Sequence, residues 1–119
     1  MNLFRTHLRP LVLIGAALMA LAGPARAQHA GYRTLAIAGD PPTTVALFYP
    51  TAAPDRVVPM GPWLPAVAPG APASDAQPKG LILISHGTGG TELNHHNLAT
   101  RLAREGYLGS SQKTENKAR

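Results

Sequence analysis

The chain has 119 residues, of which 45% are hydrophobic and 14% charged, with 12 glycines, 12 prolines and no cysteine. This composition suits at most one small globular domain, and the lack of cysteine excludes a disulfide scaffold, a cysteine-based zinc module and a thiol nucleophile. The net charge of +5 lies at the two ends of the chain, because residues 28–107 carry equal numbers of basic and acidic side chains. We therefore expect no basic face for nucleic acid.

The first 27 residues have the pattern of a secretory signal peptide. Residues 1–9 are basic, residues 11–22 are almost wholly apolar, and small residues stand at positions −3 and −1 of a cut after Ala27. The apolar run is shorter than the roughly 20 residues that a membrane-spanning helix needs. We expect a periplasmic or secreted chain that begins at Gln28, with no stable membrane anchor; an uncleaved anchor is the alternative.

The first part of the mature chain predicts β structure followed by a long loop. Residues 32–37 and 43–49 are rich in β-branched and aromatic side chains and flank a turn at residues 39–42, which predicts an antiparallel hairpin. Eight prolines stand between Pro50 and Pro78, a density that disfavours both a helix and a central strand. Within this loop, residues 68–77 have the composition of a flexible linker.

A strand and a helix are predicted next. The run Leu81–Ile84 is apolar without alternation, which is typical of an interior strand, commonly a parallel one that needs a crossover helix. Residues 94–105 supply that helix, with Gly106 as its stop. The spacing predicts a buried face made of four helix residues and a cap from one of two polar side chains. The face consists of Leu98, Ala99, Leu102 and Ala103, and the candidate caps are Thr91 and Asn94.

The end of the chain changes character abruptly. Tyr107-Leu108 is expected to open another strand, but residues 109–119 contain a single apolar residue, Ala118. This composition is typical of a disordered tail. The expected organisation is therefore a signal peptide over residues 1–27, a folded part over residues 28–107 and a disordered polar tail over residues 108–119.

The segment Ser85-His86-Gly87-Thr88-Gly89-Gly90 lies between the predicted strand and helix. Its glycines allow a sharp turn with exposed amides, and the following helix N-terminus favours negative charge. One interpretation is only a tight connection between strand and helix. A phosphate loop is a weaker one, because the segment matches neither of the usual glycine-rich motifs. The third interpretation is an oxyanion hole, in which backbone amides stabilise a tetrahedral intermediate.

Several short motifs in order carry a family resemblance. They are Gly31-Tyr32-Arg33, Phe48-Tyr49-Pro50-Thr51, Gly61-Pro62-Trp63, the run LILISHGTGG over residues 81–90, and Leu98-x-x-x-Leu102-Ala103-x-x-Gly106-Tyr107. This order resembles the start of a predicted dienelactone hydrolase of the α/β-hydrolase superfamily, related to esterases and platelet-activating-factor acetylhydrolases. The resemblance covers about residues 31–107.

The resemblance implies a fold and a site. The fold class is α/β, and the chain is the incomplete N-terminal fragment of an α/β-hydrolase sheet, consisting of a β-hairpin, a proline-rich loop, a buried strand and a crossover helix. The oxyanion donors are Thr88 and Gly89, and the loop is shaped by His86, Gly87 and Gly90. The partner implied for the full-length parent is a small-molecule ester.

The groups that attack an ester are not found in this sequence. No Gly-x-Ser-x-Gly motif is present. Ser110 and Ser111 lack the motif's final glycine and a preceding strand, and adjacent Ser85 and His86 point to opposite sides of a strand. We expect an exported hydrolase truncated before its nucleophile, inactive as it stands, with His86 bracing the loop through its ring nitrogens.

The histidines and the proline-rich loop support a second hypothesis from another class. His86, His95 and His96 are close in sequence, but zinc-binding histidines on a helix usually lie three or four residues apart. We therefore expect no metal and no cofactor, and we interpret Trp63 as a loop anchor. The alternative to a hydrolase is a small exported binding or interaction module that uses the proline-rich loop or the histidine cluster.

Overall fold

The computed structural model describes residues 28–113. The predicted signal peptide and the last six residues of the predicted tail lie outside this range. Strands account for 42% of these residues and the helix for 10%. The elements in chain order are β1 His29–Ile37, β2 Thr43–Thr51, β3 Arg56–Val57, β4 Ala66–Pro69, β5 Leu81–Ile84, α1 His96–Arg104 and β6 Leu108–Lys113.

The six strands form one mixed sheet in the order β3-β4-β1-β2-β6-β5. The predicted hairpin is present, since β1 pairs antiparallel with β2 from His29↔Thr51 to Ile37↔Thr43. β6 is antiparallel to β2 and parallel to β5, and α1 connects the two parallel strands. The predicted α/β class is nevertheless wrong. The described part of the chain is mostly β with one helix, and it is not clearly the N-terminal fragment of an α/β-hydrolase sheet.

The proline-rich segment contains two of the additional strands. β4 lies inside the sheet, antiparallel to β3 and parallel to β1 through Gly31↔Ala68 and Tyr32↔Pro69. The expectation that no central strand persists here is therefore wrong. Proline removes a donor only at its own position, and the prolines stand at the boundary of β4, as Pro65 just before it and Pro69 at its end.

The segment predicted to be a flexible linker is tied to the sheet by hydrogen bonds. The Tyr49 hydroxyl donates to the Ala71 carbonyl at 2.6 Å, and the Thr51 hydroxyl donates to the Pro72 carbonyl at 2.7 Å. The Ser74 amide donates to the Pro50 carbonyl at 2.8 Å. Two of these donors are side chains of β2. The composition of residues 68–77 alone therefore does not show that this segment is bound to the sheet.

β5 lies at the edge of the sheet, contrary to the prediction of a buried interior strand. Leu81 and Leu83 are 60% and 76% exposed, while Ile82 and Ile84 are half-buried. The unbroken apolar run indicates two covered faces, but within the described part of the chain β5 has a neighbouring strand only on the β6 side. The apolar pattern therefore predicts the strand correctly, but the prediction of an interior position is wrong.

β6 occupies a position where the sequence predicts a disordered tail. Leu108–Lys113 pairs with β2 on one side and with β5 on the other, and Gly109 and Ser111 are buried. Small residues with weak strand propensity are held here because both neighbouring strands supply hydrogen-bond partners. This difference between prediction and structure is therefore a case of tertiary context overriding local composition.

α1 packs over β1, β2 and β6. It begins at His96 rather than at residue 94, and Gly106, with φ at +99°, follows its end as predicted. Its buried residues are His96, Ala99, Thr100 and Ala103, whereas Leu98 is 51% exposed, so the predicted face is only half right. His95 is the N-cap without a side-chain bond; Thr91 instead accepts from the Leu93 amide at 3.2 Å, in the preceding turn.

The core lies between α1 and one face of the sheet. Its buried members are mostly small, apart from one phenylalanine, one valine and one leucine. They are Ala30, Ala46, Phe48, Val67, Leu93, Ala99 and Ala103. Small residues on both surfaces allow the helix to approach the sheet closely. Among residues 28–113, no helix has the length and hydropathy needed to span a membrane.

Asp55 connects three elements at one end of the sheet. Its carboxylate accepts from the Ala30 amide at 3.0 Å and from Arg104 Nε at 3.0 Å, and His29 Nδ1 lies 3.5 Å away. Arg104 also donates to the Ala66 carbonyl at 3.1 Å. Burial raises the pKa of Asp55, but the Ala30 amide, Arg104 and His29 together outweigh it, so the pKa is lowered overall. The carboxylate therefore links β1, the start of β3 and the end of α1.

We expect Asp55→Asn to lower the free energy of unfolding by about 1–2 kcal/mol at pH 7, because an uncharged amide accepts these bonds less strongly. Arg104 is 37% exposed, and solvent screening keeps the loss in the lower part of the range. Urea unfolding followed by circular dichroism measures the difference.

A carboxyl with a lowered pKa stabilises the fold when the pH is above its ordinary pKa of 3.8. That stabilisation is lost as the pH falls through the lowered pKa. The difference in the free energy of unfolding between wild type and Asp55→Asn should therefore decrease as the pH falls below about 4. Asp75→Asn, at an exposed carboxylate, is the control and should change stability by less than about 0.5 kcal/mol. A difference in the free energy of unfolding that stays constant with pH contradicts the proposed role of the Asp55 charge.

Candidate oxyanion-binding loop

The candidate site begins where β5 ends. Residues 87–90 form a turn closed by a hydrogen bond from the Gly90 amide to the Gly87 carbonyl at 3.0 Å. Gly89 is the third residue of this turn and has φ at +77°, a conformation that side-chain-bearing residues rarely adopt. The turn therefore depends on glycine at position 89, which the sequence analysis placed among the oxyanion donors.

Gly90 is required for a different reason, which is space. A Cβ atom at position 90 would lie 2.6 Å from His86 Nδ1 and 2.7 Å from Asn94 Nδ2. Position 87 has open space around it, and Gly87 contributes its carbonyl, which accepts from Gly90 and contacts His86. Of the two glycines predicted to shape the loop, Gly90 leaves no room for a side chain because His86 and Asn94 pack against it. Gly87 shapes the loop through its carbonyl, which accepts the hydrogen bond that closes the turn.

The amides of Thr88 and Gly89 are available for a ligand. Both residues are exposed, and within residues 28–113 neither amide donates a hydrogen bond. Backbone amides at the exposed tip of a fixed turn can donate to an anion without first breaking a protein bond. The two predicted oxyanion donors are therefore adjacent, unpaired within the described chain and held in a defined turn.

His86 braces the loop against β6. Its Nδ1 lies 2.8 Å from the Gly87 carbonyl oxygen, and its Nε2 lies 2.7 Å from the Gln112 carbonyl oxygen. A neutral imidazole donates from one nitrogen only, whereas an imidazolium donates to both carbonyls. In either form both ring nitrogens face backbone oxygens, so neither is directed at a serine hydroxyl.

A cavity of about 230 Å³ lies beside the loop, across the ends of β5 and β6. Both Ser85 and His86 contribute to it, together with Ser110, although Thr88 and Gly89 do not line it. The full lining is Leu83, Ile84, Ser85, His86, Ser110 and Gln112. Among the described residues no carboxylate lines this cavity, and the carboxylate of Asp55 is engaged with β1 and α1. The described residues therefore place no acid in the cavity to orient a histidine for base catalysis.

Sequence reasoning missed the contribution of β6 to this site. Ser110 and the Gln112 carbonyl lie beside His86 because β6 pairs in parallel with β5, through Leu83↔Ser110 and Ile84↔Ser111. The polar composition of residues 108–113 gave no signal for this pairing. The only usable signal was Tyr107-Leu108, an apolar pair after the predicted helix stop.

The other histidines form no metal centre in the described range. No group of three or more histidine or acidic residues within residues 28–113 is arranged to hold a metal ion. His95 is exposed, whereas His96 is buried, with its ring edge against Trp63 at a centroid distance of 5.9 Å. Trp63 packs against the core, in the place expected of a loop anchor.

Two further polar atoms are buried near the start of α1. His96 Nδ1 and Glu92 Oε2 are buried without a hydrogen-bond partner among the described residues. Burial, and then the nearby charge of Glu92, raise the pKa of Tyr32, whose ring meets Phe48 edge-on at 5.2 Å. Tyr32 packs against the core and His96 is one of the buried residues of α1.

We expect Gly90→Ala to displace the His86 ring and to lower the free energy of unfolding by about 1–3 kcal/mol, because the added methyl group would overlap two side chains. Amide hydrogen exchange at position 90, whose amide closes the turn, should accelerate. Gly87→Ala is the matched control in the same turn and should stay within about 0.5 kcal/mol of wild type. Equal effects of the two substitutions contradict the packing described for His86.

Comparison of the chain with protein-family models, with curated proteins and with solved structures finds no match. The resemblance to dienelactone hydrolases therefore stays a prediction that rests on the residues quoted above, and the geometry of the loop is the independent observation that bears on its chemistry.

Proposed function

We propose that this chain is an exported protein that carries the oxyanion-binding loop of a carboxylic-ester hydrolase and does not hydrolyse esters by itself. The observation that carries the proposal is the turn at residues 87–90, in which the exposed amides of Thr88 and Gly89 have no acceptor within the described residues. Two adjacent donors with fixed geometry suit the negatively charged oxygen of a tetrahedral ester intermediate.

The surroundings of the loop support the second half of the proposal. Attack on an ester needs a nucleophile, a base that takes its proton and a group that orients the base. Ser85 shares the cavity with His86, but both nitrogens of that ring face the carbonyls of Gly87 and Gln112. The loop can stabilise charge on a reacting oxygen, whereas the described residues provide no activated group to create that charge.

The test of the loop is anion binding observed at individual amides. Titration with p-nitrophenyl methylphosphonate, a stable tetrahedral anion, should shift the Thr88 and Gly89 amide signals in a ¹H–¹⁵N spectrum in a saturable manner. Gly89→Ala should abolish these shifts, because φ at +77° strains a residue with a Cβ atom.

Gly61→Ala is the matched control for that substitution. Gly61 also has a positive φ, at +57°, and open space around its Cβ position, so it carries the same kind of strain at a distant turn. It should leave the phosphonate shifts unchanged. With p-nitrophenyl acetate, the wild-type chain should show no more turnover than Ser85→Ala. Unmoved Thr88 and Gly89 signals contradict the anion site, and turnover lost in Ser85→Ala contradicts the inactive state.

Export is part of the same proposal and is supported by the pattern of residues 1–27 alone. Expression in a bacterium with a periplasm should release a chain that begins at Gln28. Intact-mass measurement of the periplasmic fraction checks this, with Ala27→Leu as a variant expected to slow cleavage because a large residue occupies position −1. An exported chain that retains Met1 contradicts the cleavage site.

A further inference from the structure

Among residues 28–113, no strand pairs with the edge of β5 that faces away from β6, and this edge is unprotected. Natural edge strands are commonly short, interrupted by proline, or lined with charged side chains that prevent pairing with another chain. β5 consists of Leu81–Ile84 without proline, and residues 80–91 contain no lysine, arginine, aspartate or glutamate. The backbone groups of β5 that face away from β6 therefore stand beside apolar side chains only.

The opposite edge of the sheet is protected in several of these ways. β3 has two residues, one of which is Arg56, and the prolines Pro54 and Pro59 stand close on either side. Val57 is 60% exposed, the same fraction as Leu81. The two edges therefore carry a comparable exposed apolar residue but differ in length, charge and proline content.

The exposed side chains of β5 lie on the face of the sheet opposite α1. Ile82 and Ile84 share a face with Phe48 and Ala46 through the register of β5, β6 and β2. Successive side chains of a strand alternate between faces, so Leu81 and Leu83 lie on the other face. There they are exposed by 60% and 76%, while α1 packs over the first face.

The geometry points to a second copy of this chain as the partner of β5. Two β5 strands pair antiparallel about a two-fold axis perpendicular to the sheet, with Ile82 opposite Ile82. This register places Leu81 of one copy opposite Leu83 of the other on the face away from α1. The result is a continuous twelve-stranded sheet in which both unprotected edges are paired.

Charge favours an identical partner. Because the edge carries no ionised side chain, two copies meet there without like-charge repulsion, although the chain as a whole is basic. In the antiparallel register, Lys79, two residues before one β5, lies beside the uncharged Ser85, which follows the other β5, rather than beside a second lysine. The outer edges of the paired sheet are the two β3 strands, and their protection stops the assembly at a dimer.

The first test is the oligomeric state of the purified full chain, with its N-terminus established by intact mass. Sedimentation velocity over a range of concentrations should show a reversible monomer–dimer equilibrium. Leu81→Lys should raise the dimer dissociation constant at least about tenfold, because two lysines would then lie close together on the shared face. Val57→Lys, at the equally exposed position on β3, should leave it unchanged.

Leu83→Lys provides a second variant, and circular dichroism verifies that each variant is folded. A chain that stays monomeric at all concentrations overturns the proposal. So does a series of higher polymers without a dimer, or a dimer that Val57→Lys weakens as strongly as Leu81→Lys and Leu83→Lys do.

Spin labels locate the interface without changing β5. Because the chain has no cysteine, a single engineered cysteine defines the labelled position. Labels at Ser85→Cys should lie about 20 Å apart in the dimer, and labels at Val57→Cys about 50 Å apart, given strand spacings of about 4.8 Å and a rise of about 3.3 Å per residue. The reverse order of distances places the contact at β3 and overturns the proposal.

Discussion

The described part of the chain depends on its one helix, which covers part of one face of the six-stranded sheet. α1 approaches closely because its buried positions Ala99 and Ala103 meet a sheet face that carries Ala30 and Ala46. A helix of nine residues is too short to cover all six strands, and it packs over β1, β2 and β6. The position of β5, outside the main contact with α1, follows from this limit. Leu83 is exposed because it lies on the opposite face of the sheet.

The same arrangement positions the loop. β5 and β6 are parallel, so the loop that follows β5 lies near the far end of β6, and His86 spans the gap to the Gln112 carbonyl. That contact and the tight fit of Gly90 against His86 hold the turn in which Thr88 and Gly89 present their amides. The chemistry proposed for the loop is therefore electrostatic and passive. In this proposal the loop stabilises charge on an oxygen, and the described residues place no activated nucleophile beside it.

Some features were predictable because they depend on near neighbours in the sequence. The hairpin of β1 and β2, the glycine-dependent turn and the helix stop at Gly106 are each determined by local backbone preferences, and all three are present. The strand β4 and the strand β6 were not predictable in this way. Their residues have weak strand propensity, and hydrogen bonds to strands that are distant in sequence hold them in place.

The sequence by itself determined that the strongly patterned segments form the β1–β2 hairpin, the turn after β5 and a helix that stops before Gly106, and it determined the uncharged, glycine-rich character of residues 85–90. Only the tertiary structure decided that Leu81–Ile84 is an edge strand, that residues 108–113 join the sheet, and that His86 braces the loop against Gln112. The physical reason is that an apolar run indicates that burial of a segment is favourable but does not determine which neighbouring segments cover it. Strand order and long-range hydrogen bonds supply those neighbours, and they arise only when the whole sheet assembles.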